Sequence, residues 1–338
     1  MISVEQALEL ILQQIQPAPG ESVALGESVG RVLAKEILSD LDSPPHDKSM
    51  VDGYAVLRSD LVNLPVKLRV QEEVTAGQVP QVAVQAGLTT RIMTGAPVPA
   101  AADAVVMVEQ TQTSSDADGI EWVEIGEVRL PESGNIMPQG TSLRAGDVVL
   151  PPGRIIRPLE IGLLAEVGRH QVQVSHVPSV AILSTGNELV DVDQSPRAGQ
   201  IRNSNGPLLN ALVQRAGAKP VPLGIGKDNL DDLRQLVTRG LQEDVLVLSG
   251  GVSAGVLDLV PQVLQELGVQ QVFHKVNLKP GKPLWFGVTA DPQTLVFGLP
   301  GNPVSSLVCC ELFVRPALLA LAGADPQGLE RGRATLSE

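Results

Sequence analysis

Lysines and glycine-rich turns concentrate in one part of the sequence, between residues 245 and 306. Three apolar, β-branched runs lead there into the segments SGGVSAG (249–255), KPGKP (279–283) and LPGNPVSS (299–306). Glycine lets backbone amides approach an anion closely, and the first turn of a helix adds partial positive charge. Full positive charge comes from Lys275, Lys279 and Lys282. These residue types at strand ends predict a site for a phosphorylated or other anionic ligand.

The first two loops each have a second interpretation. SGGVSAG can be only a tight turn before a capped helix, or its amides can hold a phosphate. The second interpretation would use Gly250, Gly251, Ser253 and Gly255. Turn lysines are usually only solvated, although an anion site would use the same side chains. Lys275 precedes Lys279 by four residues, and this spacing predicts that both emerge on one side of a strand.

The third loop, LPGNPVSS, follows the apolar run TLVFG. It can be a capped helix start and nothing more, or its hydroxyls and amides can face an oxyanion. The oxyanion interpretation would use Pro300, Gly301, Asn302, Pro303, Ser305 and Ser306.

Carboxylates follow three predicted strands in the same half of the chain. Glu188 lies in the segment STGNEL together with Thr185 and Gly186, while Asp228 and Asp258 follow the next two strands. Because carboxyl ends of parallel strands meet at one sheet edge, these acids are suited to Mg²⁺, which needs few protein ligands beside phosphates and water. Each acid alone can also be a helix cap or a solvated charge, and we expect Asp228 to cap the helix NLDDLRQLVTRGL.

The other polar residues and the cysteines give less information about function than the loops and acids above. Asp52 in DKSMVDGYA and Thr94 in RIMTGAPVP lie in turns, and neither motif indicates chemistry by itself. The four histidines form no metal-ligand pattern. Cys309 and Cys310 are adjacent within a predicted helix, so they point to different faces, which argues against a disulfide.

Composition narrows the classes of function. The chain has 338 residues and a net charge of −13, without a block of Lys or Arg, which argues against a nucleic-acid partner. Hydrophobic residues make up 43% and aromatic residues 2%, so we expect cores of Val, Leu, Ile and Ala. We find no signal peptide and no apolar run near the length of about 20 residues that a membrane span needs. We therefore expect a cytoplasmic protein without membrane contact.

The pattern of elements changes twice along the chain. A helix is predicted over residues 3–16, capped by Ser3 with Gln6, and residues 54–139 read as short strands such as KLRVQEEV and LTTRIMTG. A helix opening at Pro158 follows, and after Pro178 strands and helices alternate. This alternation predicts an α/β fold with a doubly wound, mostly parallel sheet in the C-terminal half and a β-rich inserted domain before it.

Seven segments in order carry a resemblance that covers nearly the whole chain. They are DKSMVDGYA, RIMTGAPVPAAADAVVMVE, STGNEL, GQIRNSNGPLL, SGGVSAGVLD, FHKVNLKPGKPLWFG and FGLPGNPVSS. Together they resemble the molybdopterin molybdenumtransferase (molybdenum insertase) family, which includes the E domain of gephyrin.

The resemblance implies a domain organisation and an assembly. Residues 1–45 and 140–176 would form an N-terminal domain, 46–139 an inserted β-rich domain, and 177–327 a molybdopterin-binding α/β domain. Residues 328–338 would begin the fourth, C-terminal domain of the family, which this chain is expected to lack. The family implies an elongated homodimer, with each active site shared between the α/β domain of one subunit and the inserted domain of the other.

The resemblance also implies an activity: insertion of molybdate into adenylated molybdopterin, with Mg²⁺-dependent release of AMP. A molybdopterin adenylyltransferase is a candidate partner. The matching catalytic positions are Asp52, Thr94, Glu188, Asp228, Asp258, Lys275 and Lys279. Glu188, Asp228 and Asp258 would hold Mg²⁺, while Lys279, Lys282 and the serines at 305 and 306 would hold molybdate. Tungstate has nearly the same size and charge, so the sequence does not separate the two oxyanions.

The chain departs from the family pattern at several positions, and two functions other than molybdenum insertion stay open. Met137, Thr141 and Ser142 replace the Arg, Glu and Asp of a usual N-I-R-x-x-G-E-D motif, and Pro261 replaces a usual Lys. One alternative is a molybdopterin-binding or scaffold module that lacks transfer activity. The other is the preceding adenylyl transfer to molybdopterin, which domains of the same α/β fold perform.

Overall fold

The computed structural model describes residues 1–16, 19–251 and 259–326. The chain divides into two compact units. Unit 1 comprises the described residues of Met1–Glu36 and Leu150–Glu338, and unit 2 is Ile37–Val149. The division into three domains with the boundaries given above stays a prediction.

Unit 1 contains the helices of the protein that are longer than one 3₁₀ turn, as far as the structure describes the chain. They are α1 (Val4–Leu12), α2 (Pro158–Glu166), α3 (Asn205–Arg215), α4 (Leu230–Gly240), α5 (Val260–Glu266), α6 (Pro303–Cys309) and α7 (Arg315–Leu321). A π turn, Cys310–Val314, joins the last two. Ser3 and Gln6 form the expected capping box, but α1 ends earlier than predicted. Its last turn tightens, because the N–H groups of Gln14 and Ile15 bond the carbonyls three residues back.

The central sheet of unit 1 has six strands. They are β13 (Ser179–Thr185), β16 (Lys219–Gly226), β17 (Val245–Ser249), β18 (Gln270–His274), β19 (Trp285–Val288) and β20 (Leu295–Leu299), in the order β16-β13-β17-β20-β19-β18. The first four in this order are parallel, and β19 runs antiparallel to both of its neighbours. The predicted mostly parallel sheet is confirmed. The carboxyl ends of every strand except β19 meet at one edge.

Helices cover both faces of this sheet. On one face α1, α3, α6, the π turn and α7 bury a cluster that includes all four phenylalanines, Phe273, Phe286, Phe297 and Phe313. Three of these rings contact one another in a row at tilted angles, with centroids 5.5 and 4.9 Å apart. The four phenylalanines are thus gathered in one core. On the other face, α4 and α5 bury a separate cluster of aliphatic residues and Trp285.

The helical stretch Pro303–Leu321 corrects one expectation. Its 19 residues are, by length and composition alone, long and apolar enough to cross a membrane. In the structure, 56% of its most apolar window is buried inside the protein, and Phe313, Val314 and Leu318 belong to the core described above. The core of unit 1 therefore accounts for its apolar character.

Shorter strands complete unit 1. β1 (Glu21–Ala24) pairs antiparallel with β12 (Gln171–Val174), and β14 (Leu189–Val190) pairs parallel with β15 (Ile201–Arg202). Residues 30–33 also bond to residues 153–156, through Gly30 N to Ile156 O at 2.8 Å and Leu33 N to Arg154 O at 2.9 Å.

Unit 2 is a β-structure, as the short-strand pattern predicts. Its six-stranded sheet has the order β7-β4-β6-β5-β9-β8, formed by β4 (Gly53–Val56), β5 (Val66–Val74), β6 (Leu88–Ile92), β7 (Ala104–Met107), β8 (Thr111–Ser115) and β9 (Glu121–Ile125). Short strands are β2 (Ile37–Leu38), β3 (Lys48–Ser49) and β10 (Ile136–Met137), while β11 (Val148–Leu150) ends at the boundary of the unit. The pattern missed β8, because its sequence TQTSS is polar and the strand is an exposed edge.

Candidate active site

The structure brings eight of the predicted site residues together at the carboxyl edge of the unit 1 sheet. They surround a cavity of about 320 Å³ at the ends of β13, β17 and β20 and the start of α3. The eight are Thr185, Gly186, Glu188, Asp228, Gly250, Gly251, Gly301 and Pro303. Ser253, Gly255 and Asp258 lie outside the described residues.

The glycine turn after β17 packs directly against the end of β13. Gly250 and Gly251 have φ angles of +93° and +63°. A Cβ atom would lie 2.6 Å from Thr185 O at position 250, and 2.8 Å from Thr185 Oγ1 at position 251. The N–H of Gly250 donates to Leu299 O at 3.1 Å, which ties the turn to the end of β20. Glycine is required at both positions, since a side chain would separate the strand ends that form the cavity.

Two carboxylates lie at this edge. Oδ2 of Asp228 accepts from the N–H of Asn187 at 3.1 Å, and the N–H of Asp228 donates to Asn187 Oδ1 at 3.2 Å. The carboxylate of Glu188 folds over Gly186, where a Cβ would lie 2.4 Å from its Oε2. The expectation that Asp228 caps α4 is wrong. The cap is Asn229, one residue later, whose side chain accepts from Asp232 N at 2.9 Å.

A magnesium ion fits this pair of acids. The described residues contain no cluster of three or more His, Cys, Asp or Glu side chains that could enclose a metal ion. Mg²⁺ in phosphate sites needs only one or two carboxylates and completes its shell with water and phosphate oxygens. Glu188 and Asp228 supply that number.

Asn205, the first residue of α3, is a site residue that the sequence pattern did not single out. Its Nδ2 donates to Ser249 Oγ at 2.6 Å and to Gly301 O at 2.8 Å. Its Oδ1 is buried and has no hydrogen-bond partner among the residues that the structure describes. Its sequence signal is the NSN of GQIRNSNGPLL, one of the seven segments that carry the resemblance. Asn203 of the same segment accepts from Gly206 N at 3.0 Å at the start of the helix.

Thr185 presents a second buried atom of this kind. Its Oγ1 is inaccessible to solvent and finds no partner in the described part of the chain, although the residue lines the cavity. Leaving a buried polar atom unpaired costs about 1–3 kcal/mol. Two such atoms lie beside one cavity, where a water or a bound molecule would complete their hydrogen bonds.

The segment after β20 serves partly as a helix start. Asn302 caps α6, accepting from Val304 N at 3.0 Å and Ser305 N at 3.3 Å. The hydroxyl of Ser306 is fully buried and donates to Pro300 O. In this arrangement Ser306 points into the protein, whereas Gly301 and Pro303 line the cavity.

The lysine loop lies at the same sheet edge but does not line this cavity. β18 ends at His274, and residues 275–284 form the turn to β19. The expectation that Lys275 and Lys279 share one side of a strand is therefore wrong. Lys275 has a φ of +73° and its N–H bonds Leu284 O, so the chain leaves the strand there. The loop contacts α6 through Cys309 Sγ and Gly281 O, 3.6 Å apart.

Lys279 and Lys282 are exposed and make no ion pair within the described residues. β18 is two strands away from β20, a lateral separation of about 10 Å. Flexible lysine side chains at that separation can reach a ligand that extends beyond the cavity.

Asp52 and Thr94 contact each other in unit 2. Oδ1 of Asp52 accepts from the N–H of Thr94 at 2.6 Å and from its hydroxyl at 2.7 Å. These two bonds, the backbone bond first, lower the pKa of Asp52 below its ordinary value. The next residue, Gly53, has no room for a side chain, since a Cβ would lie 1.9 Å from Val106 O. The Asp52–Thr94 pair therefore holds an ionised carboxylate directly before the first residue of β4.

Comparisons with known proteins cover nearly the whole chain. Residues 2–168 match the family model of the MoeA N-terminal region (domain I and II), and residues 181–320 match that of a probable molybdopterin binding domain. Molybdopterin molybdenumtransferases from Staphylococcus aureus (strain Mu50) and Staphylococcus epidermidis (strain ATCC 12228) are each 36% identical to the chain. The similarity spans 100% of this chain and 80% of each relative.

Solved structures agree with this similarity. The molybdopterin biosynthesis protein MoeA from Pyrococcus horikoshii superposes with a TM-score of 0.80 at 34% identity, over 96% of this chain and 80% of that one. A molybdenum cofactor biosynthesis protein from Pyrococcus furiosus superposes with a TM-score of 0.54 at 20% identity, which shows likeness of fold alone.

Proposed function

Because this chain belongs to the molybdopterin molybdenumtransferase family, we propose that it inserts molybdenum from molybdate into adenylated molybdopterin and releases AMP. It is a transferase of molybdenum cofactor biosynthesis. One observation in the site supports the proposal most directly. The cavity at the carboxyl edge joins two glycine-rich loops, two carboxylates and two buried polar atoms that lack partners among the described residues.

The phosphate linkage of the substrate would lie at the glycine turn. Gly250 and Gly251 allow it to approach the backbone at the ends of β13 and β17. Thr185 Oγ1 can donate to a phosphate oxygen, and Asn205 Oδ1 can accept from a substrate N–H or hydroxyl. Either bond would relieve the cost of an unpaired buried atom.

Glu188 and Asp228 would hold Mg²⁺, with Asp258, which lies outside the described residues, as a further candidate. The ion supplies charge neutralisation for the phosphate that leaves with AMP. The protein's own contribution is to fix the two carboxylates: Asp228 through its bonds with Asn187, and Glu188 through its position over Gly186.

The lysine loop is the proposed molybdate side of the site. A tetrahedral oxyanion needs several donors at once, and Lys275, Lys279 and Lys282 supply positive charge next to α6. Ser305 is the better placed of the two serines for this role, since the hydroxyl of Ser306 is already bonded to Pro300 O.

We propose further that the protein is a cytoplasmic homodimer, in which Asp52 and Thr94 of one subunit complete the site of the other. A molybdopterin adenylyltransferase is the proposed supplier of the adenylated substrate. The resemblance described above, rather than any contact in the single chain, supports these three statements.

The purified protein tests the activity directly. It is incubated with adenylated molybdopterin, with and without molybdate and Mg²⁺, and released AMP is measured by chromatography. We expect AMP release to depend on both additions, and the product to activate an apo-molybdoenzyme. AMP release that is unchanged by molybdate and Mg²⁺ would contradict the proposal. Tight binding of the pterin with no activation of the apoenzyme would identify a binding module instead.

A further inference from the structure

A second cavity, larger than the candidate active site, lies at the opposite edge of the unit 1 sheet. It has a volume of about 650 Å³ and is bordered by residues 30–32, 153–157 and 175–177, the end of α3 and the end of α7. Residues 175–177 precede β13, and α3 returns from the carboxyl edge, so this is the amino edge. The cavity shares no lining residue with the candidate active site.

Guanidinium groups are the main charged groups of its lining. Five arginines from four separate segments converge on it: Arg31, Arg154, Arg157, Arg215 and Arg315. They are five of only 25 Lys and Arg residues in a chain with a net charge of −13. Such a concentration of arginines at one cavity is not expected from an even distribution of surface charge.

The arginines share carboxylates in the ion pairs of the described residues. Glu160 is shared by Arg154, at 3.1 Å, and Arg157, at 2.6 Å. Glu311 is shared in the same way by Arg215 and Arg315, and Glu21 binds Arg31 at 2.6 Å. In these ion pairs, within the part of the chain that the structure describes, five guanidinium groups share three carboxylates, none of which lines the cavity.

Two further acids bring the carboxylates at or behind the cavity to five, the same number as the arginines, although only one of these five acids lines it. Asp325 lines the cavity, and Asp244 binds the lining residue His176 at 3.0 Å. The arginine side chains nevertheless keep donors for another partner, because each guanidinium has five N–H groups. Arg154, Arg157 and Arg215 are 48%, 55% and 64% exposed, although each is anchored at one end.

The anchoring also fixes the guanidinium groups in place. Glu160 is 2% exposed and accepts from the side chains of Arg154 and Arg157 and from the backbone N–H of Arg157 at 3.0 Å. Glu311 is similarly protected, with 12% exposure. Pre-positioned donors lose little conformational freedom when an anion binds. Apolar side chains of Val32, Ile155, Val177 and Leu319 form the remaining wall.

From this arrangement we propose that the cavity binds a small organic phosphate that carries at least two negative charges. Planar guanidinium groups match phosphate oxygens through paired N–H donors, and the apolar wall fits the organic part of such a molecule. The volume falls in the range of about 300–1,000 Å³ that is typical of small-molecule sites. A nucleoside diphosphate has these properties, whereas inorganic pyrophosphate has the charge without the organic part.

The test measures binding of ADP and of inorganic pyrophosphate to the full chain by isothermal titration calorimetry, without Mg²⁺. The double variant Arg154→Ala/Arg215→Ala removes one arginine from each shared pair, so Glu160 and Glu311 each keep a partner. We expect ADP affinity to fall by a factor of about 100, from two lost charge-assisted bonds, and that of pyrophosphate to fall as well. If the double variant does not fold, Arg215→Ala alone is expected to lower ADP affinity about tenfold.

Matched variants identify the site. Arg234→Ala removes an arginine that is 42% exposed and binds Glu266 and Asp231 away from both cavities, and it is expected to leave ADP affinity unchanged. Lys279→Ala/Lys282→Ala, at the other edge, is also expected to leave it unchanged, while AMP release by the arginine variants stays at the wild-type rate. The proposal is overturned if the arginine variants bind ADP as the wild type does, if Arg234→Ala weakens binding equally, or if only the lysine variant loses binding.

Discussion

Asn205 and Gly301 are joined by a hydrogen bond of 2.8 Å from Nδ2 to the carbonyl oxygen, and the same amide group donates to Ser249 Oγ at 2.6 Å. One side chain at the start of α3 thus connects the loop after β17 with the loop after β20. These loops carry the glycines that border the candidate active site, so the geometry of the site depends on a residue that need not contact the reacting atoms.

Replacing Asn205 by Asp tests this connection. The two side chains have the same shape, but aspartate has no N–H to donate and places a charge against Gly301 O. We expect molybdopterin affinity to fall at least tenfold and the free energy of unfolding to fall by about 1–3 kcal/mol, from two lost bonds. Calorimetry and thermal unfolding measure the two effects. At Asn229 only the side-chain oxygen is used, so Asn229→Asp should leave both quantities nearly unchanged. Equal effects at the two positions would contradict the assignment.

Thr185→Val is expected to separate stability from binding. The hydroxyl is buried without a partner in the described structure, so an isosteric methyl group should leave the free energy of unfolding unchanged or raise it by about 1 kcal/mol. Affinity for the substrate should fall about tenfold, because the ligand loses a donor. Thr89→Val is the matched control, since Thr89 Oγ1 donates to Ala55 O at 2.8 Å and its loss should lower stability by about 1 kcal/mol. A Thr185→Val protein with normal affinity would show that the hydroxyl does not contact the ligand.

Gly250→Ala is expected to damage the site through the backbone. Its φ of +93° disfavours a side chain, and the new Cβ would lie 2.6 Å from Thr185 O. Gly268 has a similar φ of +81° but open space around the Cβ position. Gly268→Ala should therefore cost about 1 kcal/mol of stability from strain alone, and Gly250→Ala about 2–3 kcal/mol together with loss of AMP release. Thermal unfolding of both variants checks the difference, and equal losses of stability would show that the close approach to β13 is unimportant.

The parts of the fold that the sequence predicted are those set by local patterns. VAILST and DVLVLS are continuous apolar runs, which a buried parallel strand requires, and Pro158 occupies the first turn of a helix, where it loses no hydrogen bond. The convergence of Glu188, Asp228 and Gly250 on one edge follows from parallel strand direction.

The parts that the sequence did not predict depend on contacts between distant segments. Whether Asp228 or Asn229 caps α4 is a choice between neighbours, decided by the bond that Asp228 makes to Asn187 in another loop. No local pattern distinguishes Asn205 from Asn203 in the NSN segment, and only the folded chain places Ser249 and Gly301 beside the amide of Asn205. The π turn between α6 and α7 likewise has no local sequence signal.

The pKa of Asp52 is predicted to depend on Thr94. The backbone N–H and then the hydroxyl of Thr94 hold it below the ordinary value of 3.8. Thr94→Val keeps the first bond and removes the second, so the pKa should rise towards 3.8. A depressed carboxyl pKa stabilises the fold above the ordinary pKa, and this contribution is lost as the pH falls through the lowered value. The variant should therefore lose less stability than the wild type on acidification below pH 4. Carbon-13 NMR titration of the carboxylate measures the pKa, and an unchanged value would contradict the role of the hydroxyl.

Subunit mixing tests whether Asp52 and Lys279 complete a site across the proposed dimer. Asp52→Ala and Lys279→Ala chains, co-expressed with different affinity tags and purified through both, form mixed dimers. If each site takes Lys279 from one subunit and Asp52 from the other, one of the two sites is intact and AMP release should be about half of the wild-type rate.

The matched control places both substitutions in one chain and pairs it with a wild-type chain. Each site of that dimer then lacks one residue if the sites are shared, so AMP release should be lost. If each site were built within one chain, the two results would be exchanged: the first dimer would be inactive, and the control would retain about half of the activity. The two dimers carry the same substitutions in the same number, so a difference in stability cannot produce this contrast. The contrast can come only from whether each site takes its residues from one subunit or from both.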